Sequence, residues 1–145
     1  MAASLPLDAA ASLIAAVRSA LLANSTLAGM LAGSKVVTLA PSGHQTPYIS
    51  IAIRSNDWST ATEDGQEVLL DLNVWHQPDS QTPEGGAARA IMALCRQTLH
   101  TASLTLASPF KCTLIRVTNE IGPYRDPDGR TVHGLVSVRA LVDHT

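Results

Sequence analysis

Histidine, cysteine and hydroxyl side chains are the residues of this chain that could do chemistry, and their spacing decides which chemistry is available. The five histidines share no metal-ligand spacing such as HxxxH, and His44 lies alone in a proline-flanked loop. A serine, a histidine and an aspartate could be combined into a triad, but no GxSxG segment marks a nucleophile. P-loop and GxGxxG segments are also absent from the sequence. The sequence therefore predicts no catalytic, cofactor-binding or metal site.

The two cysteines, Cys95 and Cys112, lie in a predicted helix and a predicted strand. Their spacing is not that of a CxxC pair. Buried free thiols in a reducing compartment are therefore favoured over a disulfide or a metal site.

A polar arm in the middle of the chain is the first candidate contact surface. Asp57 and Asp64 flank a segment rich in hydroxyl groups, but the spacing of the carboxylates is not that of a calcium-binding loop. The segment is either a solvated hairpin arm or a docking arm with Trp58 as its aromatic anchor. Both interpretations stay open. The candidate residues of the arm are Asp57, Trp58, Ser59, Thr60 and Asp64.

A second candidate is the RDPDGR segment that runs from Arg125 to Arg130. Asp126 begins a four-residue stretch with the preferences of a type I turn. The segment is either a surface loop with salt bridges of little energetic value, or a subunit-interface loop. In the second case Arg125 or Arg130 pairs with a neighbour's carboxylate.

These segments must be positioned by strands with a period-two pattern. In residues 66–77 one face is apolar, and the preceding strand, 48–54, is also apolar on one face. A two-residue turn at Asp64-Gly65 would put both apolar sets on the same side of a hairpin. The two sets are Val68, Leu70, Leu72 and Val74, and Ile49, Ile51 and Ile53.

The sequences of the two strands that follow differ in how clearly they define a buried face. Residues 132–142 alternate cleanly, with Val132, Gly134, Val136, Val138, Ala140 and Val142 on one face. Residues 110–118 have the composition of a strand, but Cys112 and Leu114 compete with Ile115 and Val117 for the inner face. Residues 119–131 are predicted to form a long structured connection.

Two main helices and a short one are predicted around these strands. Residues 5–23 carry an apolar stripe at helical spacing, and Ser25 can cap a short helix over residues 26–32. The segment 36–39 can add a short strand. Thr82 and Pro83 mark the start of a helix that continues to about His100. Its predicted buried stripe is Ala88, Ile91, Met92, Cys95 and Leu99.

The order of elements predicts an α+β fold in one domain that spans residues 1–145. Helices alternate with hairpins in the order α-β-β-α-β-β, with a short extra helix after the first. The expected architecture is an antiparallel sheet of about four strands with both main helices on one face.

Composition limits the partners. A net charge of -2 and 15% charged residues argue against binding to nucleic acid or to an anionic membrane through bulk charge. The uncharged stretch 19–34 is shorter than a membrane span and contains polar residues, so we predict no transmembrane helix and no signal peptide. With 46% hydrophobic residues, the low-charge surface suits self-association.

The motifs together resemble the tail-completion, or tail-terminator, proteins of long-tailed phages and gene transfer agents. The similar segments are Asp57-Trp58-Ser59-Thr60, Asp64-Gly65-Gln66-Glu67, Leu72-Asn73-Val74-Trp75, Arg125-Asp126-Pro127-Asp128-Gly129-Arg130 and His133-Gly134. The N-terminal helix and the loop that ends at Pro47-Tyr48 also fit this family. The resemblance therefore covers most of the chain.

This resemblance implies a structural protein rather than an enzyme, with no cofactor. Such a protein forms a hexameric ring on the end of the tail tube, stops tube polymerisation and presents a surface to head-completion or connector proteins. The implied partners are further copies of the chain, the tail tube protein and the head-completion protein, and DNA passes through the ring without sequence-specific binding. The implied location is the head-proximal end of the virion tail, and the host cytoplasm during assembly. A small ligand-binding module or enzyme is the alternative, which would gather His44, His76 and His133 in one pocket.

Overall fold

The chain forms three helices and five strands over the part that the structure describes. This structure is a computed structural model, and it describes residues 9–33, 35–39, 45–57, 65–77, 86–107, 110–127 and 130–144. In chain order the elements are α1 (Ala9–Ala23), α2 (Ser25–Met30), β1 (Val36–Val37), β2 (Tyr48–Asp57), β3 (Gly65–His76), α3 (Gly86–Leu99), β4 (Phe110–Arg125) and β5 (Val132–His144).

All five strands belong to one sheet in the order β1-β2-β3-β5-β4. Strand β1 is parallel to β2, and the other neighbours are antiparallel. Helices α1 and α3 contact each other and the strands of the sheet. The predicted α+β fold is confirmed, with β1 as a fifth strand that makes the sheet mixed.

The core lies between one face of the sheet and the two long helices. Both predicted strand sets on β3 and β5 are buried, and so is the predicted stripe of α3. Successive side chains of a strand point to opposite faces, and the apolar residues of β3 are paired with the apolar residues of β5. Both apolar sets therefore lie on the same face of the sheet. On α1 the residues that complete the core are Ala9, Ala10, Leu13, Val17 and Leu21.

The β2–β3 hairpin pairs in a different register from the one that a two-residue turn requires. Asp57 is paired with Glu67, and Gly65 is a strand residue opposite Asp143 of β5. The predicted Asp64-Gly65 turn is therefore wrong for Gly65, and Asp64 lies outside the described residues. The predicted facing survives over residues 48–53 because the register differs there by an even number of residues, but Ile53, where a register shift follows, is 46% exposed.

Strand β4 is longer than predicted and contains three irregularities in its pairing with β5. The register shifts between Cys112 and Leu114, between Val117 and Asn119, and between Ile121 and Tyr124. Each shift inserts one extra residue, which reverses the facing of the chain after it. Cys112 and Ile115 can therefore both face the helices. The predicted connection over 119–131 is wrong in its first part, since residues 119–125 continue the strand.

The short helix α2 is capped by a different residue from the one predicted. The Asn24 side chain accepts a hydrogen bond from the Leu27 backbone N–H at 3.1 Å, and Ser25 is the first helical residue. The Asn24 amide also donates to Thr98 Oγ1 of α3 at 2.9 Å. One side chain thus starts α2 and fixes it against α3.

We expect Asn24→Ala to lower the free energy of unfolding by about 1–2 kcal/mol, because it removes the cap and the bond to Thr98. Ser25→Ala is the matched control. It replaces the exposed neighbouring residue, so its effect should stay within about 0.5 kcal/mol. Urea denaturation of both variants decides between the two caps, since equal losses would contradict the assignment to Asn24.

Candidate functional site

The face of the sheet opposite the helices carries partly exposed polar and aromatic side chains in the described residues. It carries the second period-two set of β3, which includes Asp71, Asn73 and Trp75, and the matching set of β5. Among the described residues these side chains contact one another across the strands. The candidate functional site is therefore a surface and not a pocket.

A row of rings crosses four strands at one end of this face. Tyr48, Trp75, His133 and Tyr124 occupy successive positions on β2, β3, β5 and β4. The Trp75 and His133 rings stack at a centroid distance of 3.9 Å and an interplanar angle of 12°. Tyr48 stacks more loosely on Trp75 at 6.5 Å, and the Trp75 indole donates to Ser50 Oγ at 3.0 Å. Tyr124 is tilted by 52° to the His133 ring at a centroid distance of 5.3 Å, so the row presents an amphipathic strip whose end at β4 is turned out of the stack.

His133 is the most constrained member of this row. Its Nε2 lies 2.9 Å from Asn73 Oδ1, which can only accept, so Nε2 carries the proton. In the neutral ring, Nδ1 then accepts a hydrogen bond from the Tyr124 hydroxyl at 3.2 Å. Asp126 Oδ1 is 3.7 Å from Nδ1. Burial lowers the pKa of His133, and the nearby Asp126 carboxylate opposes this effect.

We expect this lowered pKa to make the folded state less stable in acid. Between the lowered pKa of His133 in the folded chain and the ordinary value of about 6.5, the unfolded chain binds more protons, so stability rises with pH there. The contribution of His133 is complete above about pH 6.5, and it is lost as the pH falls towards the folded value, by no more than about 1.4 kcal/mol per pH unit. In His133→Gln the decline from pH 7.5 to pH 5 should be shallower in thermal denaturation. An unchanged slope would contradict the role of His133.

Two groups of opposite charges lie farther along the same face. The Arg54 guanidinium contacts both carboxylate oxygens of Asp71, at 2.9 and 3.1 Å, and Ser137 Oγ donates to Asp71 at 3.2 Å. Arg139 Nε donates to Glu67 at 2.6 Å. Both arginine side chains are more than a third exposed, so these pairs add little to stability. Their main effect is that charge on this face is neutralised locally.

The structure does not bring the two sets of sequence-predicted residues together. Asp57 is the last residue of β2, paired with Glu67, whereas Arg125 ends β4 opposite Val132. On β3, Asp57 is level with Glu67, and Arg125 is level with His76 through its partner Val132. Asp57 and Arg125 therefore lie roughly 30 Å apart along the strand direction. Trp58, Ser59, Thr60 and Asp64 lie outside the described residues.

The connection between β4 and β5 is partly described. The Asp126 backbone N–H donates to the Thr131 carbonyl at 2.8 Å, which closes the connection, and the Asp126 side chain points towards His133. Arg125 and Arg130 are exposed. Asp126 therefore has a role inside its own subunit, as a neighbour of the aromatic row.

The histidines predicted for an alternative ligand pocket do not converge. Trp75 is paired with His133, so the next residue, His76, lies on the opposite face of the sheet. His44 lies outside the described residues. Within the described ranges no group of three His, Cys, Asp or Glu side chains could hold a metal ion.

An open groove of about 670 Å³ lies between α1 and the segment that follows α3. Alanine, serine, threonine and leucine side chains line it, so it offers no ionisable group. Both cysteines are free thiols; Cys95 is buried, as predicted, whereas Cys112 is only half-buried, and burial raises the pKa of Cys95 to about 12. Neither feature supplies a nucleophile.

The sequence pattern alone predicted the strands of the open face but not its contacts. Asp71, Asn73 and Trp75 stood out as polar or amphipathic alternates of the buried set. Their partners on β2, β4 and β5 depend on register, and on the bulge that brings Tyr124 opposite His133. The sequence signal for an open face is the combination of a polar outer set on the strands with helices predicted on only one face of the sheet.

Comparisons with known proteins agree with this architecture. A search of curated protein sequences gives no match. A chain of the solved structure described as the virion of a native gene transfer agent (GTA) particle superimposes with a TM-score of 0.73 and 21% sequence identity, over 92% of this chain and 96% of that chain. This likeness shows that the fold is shared.

The family comparison covers nearly the same length. The model of the family described as "Tail completion protein gp17" matches residues 15–143. The resemblance drawn from the sequence motifs is thereby confirmed, together with the predicted location in a virion tail. Within the described residues no helix is long and apolar enough to cross a membrane. The chain therefore belongs to the tail completion protein gp17 family.

Proposed function

We propose that this chain forms, as one domain over residues 1–145, a hexameric ring on the head-proximal end of the tail tube. The observation that carries the proposal is the family match over residues 15–143. The shared fold with a chain of a gene transfer agent particle supports it. A ring requires a heterologous interface whose rotation closes, and a low-charge surface suits such a contact.

The ring ends polymerisation of the tail tube and presents a joining surface to the head-completion or connector protein. Its partners are thus further copies of this chain, the tail tube protein and the head protein. DNA passes through the central channel without sequence-specific contacts. A net charge of -2 supports this step, because a strongly basic channel would hold the phosphate backbone. The role is structural and involves no catalysis and no cofactor.

The two candidate interface segments serve different contacts in this proposal. The arm, Asp57, Trp58, Ser59, Thr60 and Asp64, reaches a neighbouring subunit or the tube. Arg125, Asp126 and Arg130 form the second contact. Asp57 and Arg125 end their strands at opposite ends of the sheet, which supports a division of roles between the two segments.

Negative-stain electron microscopy of the purified chain mixed with tail tubes tests the function. Tubes are included because some rings close only on their template. We expect added density at one end of each tube and no further tube growth when free tube protein is supplied. A chain that stays monomeric and leaves the tubes uncapped and growing would overturn the proposal.

Variants of the candidate residues test the interface assignment in the same assay. Trp58→Ala and Arg125→Ala should reduce the capped fraction about tenfold or more, as expected for interface anchors. Arg89→Ala is the matched control, because it removes an exposed arginine from α3. Capping by both test variants at the control's level would remove these residues from the interface.

A further inference from the structure

Charge is unevenly distributed along this chain. Residues 55–88 contain seven aspartate and glutamate residues and no lysine or arginine, whereas residues 89–125 contain five basic residues and one glutamate. The basic range includes the edge strand β4. The acidic range includes the arm segment, residues 57–64, which begins at the end of β2 and carries Asp57, Glu63 and Asp64. The chain thus has an acidic segment after β2 and a basic strand at the far edge of the sheet.

Arg116 of β4 lies on the open face, directly opposite another arginine. Its cross-strand partner is Arg139 of β5, whose Nε donates to Glu67 at 2.6 Å. Like charges directly opposite each other destabilise a pair of strands. Glu67 neutralises Arg139, but the exposed Arg116 has no hydrogen-bond or ion-pair partner among the described residues. A carboxylate from outside the described chain would therefore relieve the repulsion between the two arginines.

Lys111 adds a second cation near the start of β4. It is exposed, and it forms no ion pair within the described ranges, although Asp143 is its cross-strand neighbour. The basic residues on the other side of the sheet differ, because each has a partner. Arg18 and Lys35 donate to backbone carbonyls, and Arg54 is paired with a carboxylate. In the strands as far as they are described, the basic residues without a partner thus lie in this part of β4.

The arm segment begins at the same level along the strands as these two cations. Cross-strand pairing through β3 and β5 puts Asp57 level with Leu114 of β4. Lys111 and Arg116 lie on either side of Leu114. In one subunit Asp57 and Leu114 are three strand spacings apart, about 14 Å. If two copies lie side by side with the same end of the sheet up and β2 of one beside β4 of the other, the arm segment comes next to the cations.

This contact must use side chains, because the backbone of β4 is already bonded here. Thr101 N–H, in the turn after α3, donates to the Ile115 carbonyl at 3.0 Å. Val117 N–H donates to His100 Nδ1, also at 3.0 Å. A further strand cannot pair with these backbone groups. Arg116 lies between Ile115 and Val117, and its guanidinium on the open face can accommodate a carboxylate in bidentate geometry.

We propose that the carboxylates of the arm segment of one copy bind Arg116 and Lys111 on the open face of β4 in the next copy. This inference rests on the proposed ring and assigns the surface that receives the arm. The contact is heterologous, because an acidic segment meets a basic strip and each subunit has one of each, as a closed ring requires. Exposed ion pairs add little affinity, but opposite charge selects the correct partner and disfavours contact between two arms.

Charge reversal in the full-length chain tests the two sides of the contact separately. The arm variant carries Glu63→Lys and Asp64→Lys, and the strand variant carries Lys111→Glu and Arg116→Glu. Each variant should raise the concentration required for assembly about tenfold or more, because like charges then face each other across the contact. Sedimentation velocity, alone and with tail tubes, is the measurement, and circular dichroism confirms that each variant is folded.

The control reverses two charges elsewhere. Arg89→Glu with Arg96→Glu changes two exposed arginines of α3, and this variant should assemble as the unsubstituted chain does. An equal loss of assembly in the control and the strand variant would mean that overall charge governs assembly, and it would overturn the assignment to β4.

Mixing the two variants shows whether the contact joins different copies. In an alternating ring the basic arm of the arm variant meets the acidic strip of the strand variant, and the unchanged arm and strip meet at the next contact. The mixture should therefore recover multimers of the size that the unsubstituted chain forms. One chain that carries all four substitutions should recover them as well, because its arm and strip have exchanged charges. Recovery in this chain but not in the mixture would place the ion pairs within one subunit and overturn the inference.

The outcomes separate this inference from the proposed function. If rings form and both the arm variant and the strand variant assemble normally, the charge contact is wrong and the ring stands. A mixture that stops at dimers would indicate a twofold contact and overturn the head-to-tail assignment. If the unsubstituted chain forms no multimer, free or on tubes, both proposals fail.

Discussion

Leu72→Ala is expected to lower the free energy of unfolding by about 2–5 kcal/mol. Leu72 is fully buried in the middle of β3, between Ile51 of β2 and Val136 of β5. The helices on one side and the two neighbouring strands leave little freedom for the site to collapse. The loss therefore includes both the transfer energy of the removed atoms and the cost of the cavity.

Leu69→Ala on the same strand is the matched control. Leu69 is the same residue type in the same strand, but it lies on the open face and is only partly buried. We expect less than half of the loss seen for Leu72→Ala, because water can fill the vacated space. Urea denaturation with a shared m-value gives both numbers. Equal losses would contradict the view that only one face of the sheet is covered.

The difference between the covered and the open face of the sheet explains why β3 and β5 can be predicted from the sequence. A strand that buries one face alternates strongly between apolar and polar residues, and a change of register by an even number of residues leaves that alternation intact. The alternation therefore predicts the correct faces of the hairpin even though Asp64 and Gly65 do not form its turn as a pair. Turn residues such as Asp64 and Gly65 indicate that the chain changes direction, but they do not determine how many residues of the loop lie between the paired strands.

Strand β4 marks the limit of this kind of inference. Its two competing sets, Cys112 with Leu114 and Ile115 with Val117, could not both belong to one regular strand. The bulge between Cys112 and Leu114 places Cys112, Ile115 and Val117 on the helix face. A bulge has no strong local sequence signal, because it is stabilised by the neighbouring strand and not by the bulged residues. Gly122 is the exception: its φ of +88° and its close approach to the His133 carbonyl both favour glycine.

The bulges also connect the fold to the open face. Without the shift between Ile121 and Tyr124, the Tyr124 ring would not lie opposite His133, and the aromatic row would end at β5. The row and the exposed apolar residues of β4 thus depend on the irregularities that sequence periodicity misses. The candidate residues Asp57, Arg125 and Arg130 were found instead from turn composition and family resemblance, which indicate segments but not their spatial relation.

Gly134→Val is expected to lower the free energy of unfolding by about 1–3 kcal/mol through overpacking. Gly134 lies on the buried face of β5 opposite Val74. A Cβ at this position would overlap the Sδ atom of Met92 on α3. Because Met92 is flexible, alanine could be accommodated by a rotamer change at smaller cost. Valine adds two further methyl groups, and its better strand propensity, worth about 1 kcal/mol, does not offset the clash.

A double-mutant cycle with Met92→Ala shows whether this contact is the cause. Met92→Ala alone should cost about 2–5 kcal/mol, because Met92 is 3% exposed and its removal leaves a cavity. In the double variant the valine methyl groups occupy part of that cavity, so the combined loss should be smaller than the sum by about 1–2 kcal/mol. Denaturant titration of the four proteins gives the coupling energy. Additive losses would mean that glycine is needed at position 134 for a reason other than the approach of α3 to the sheet.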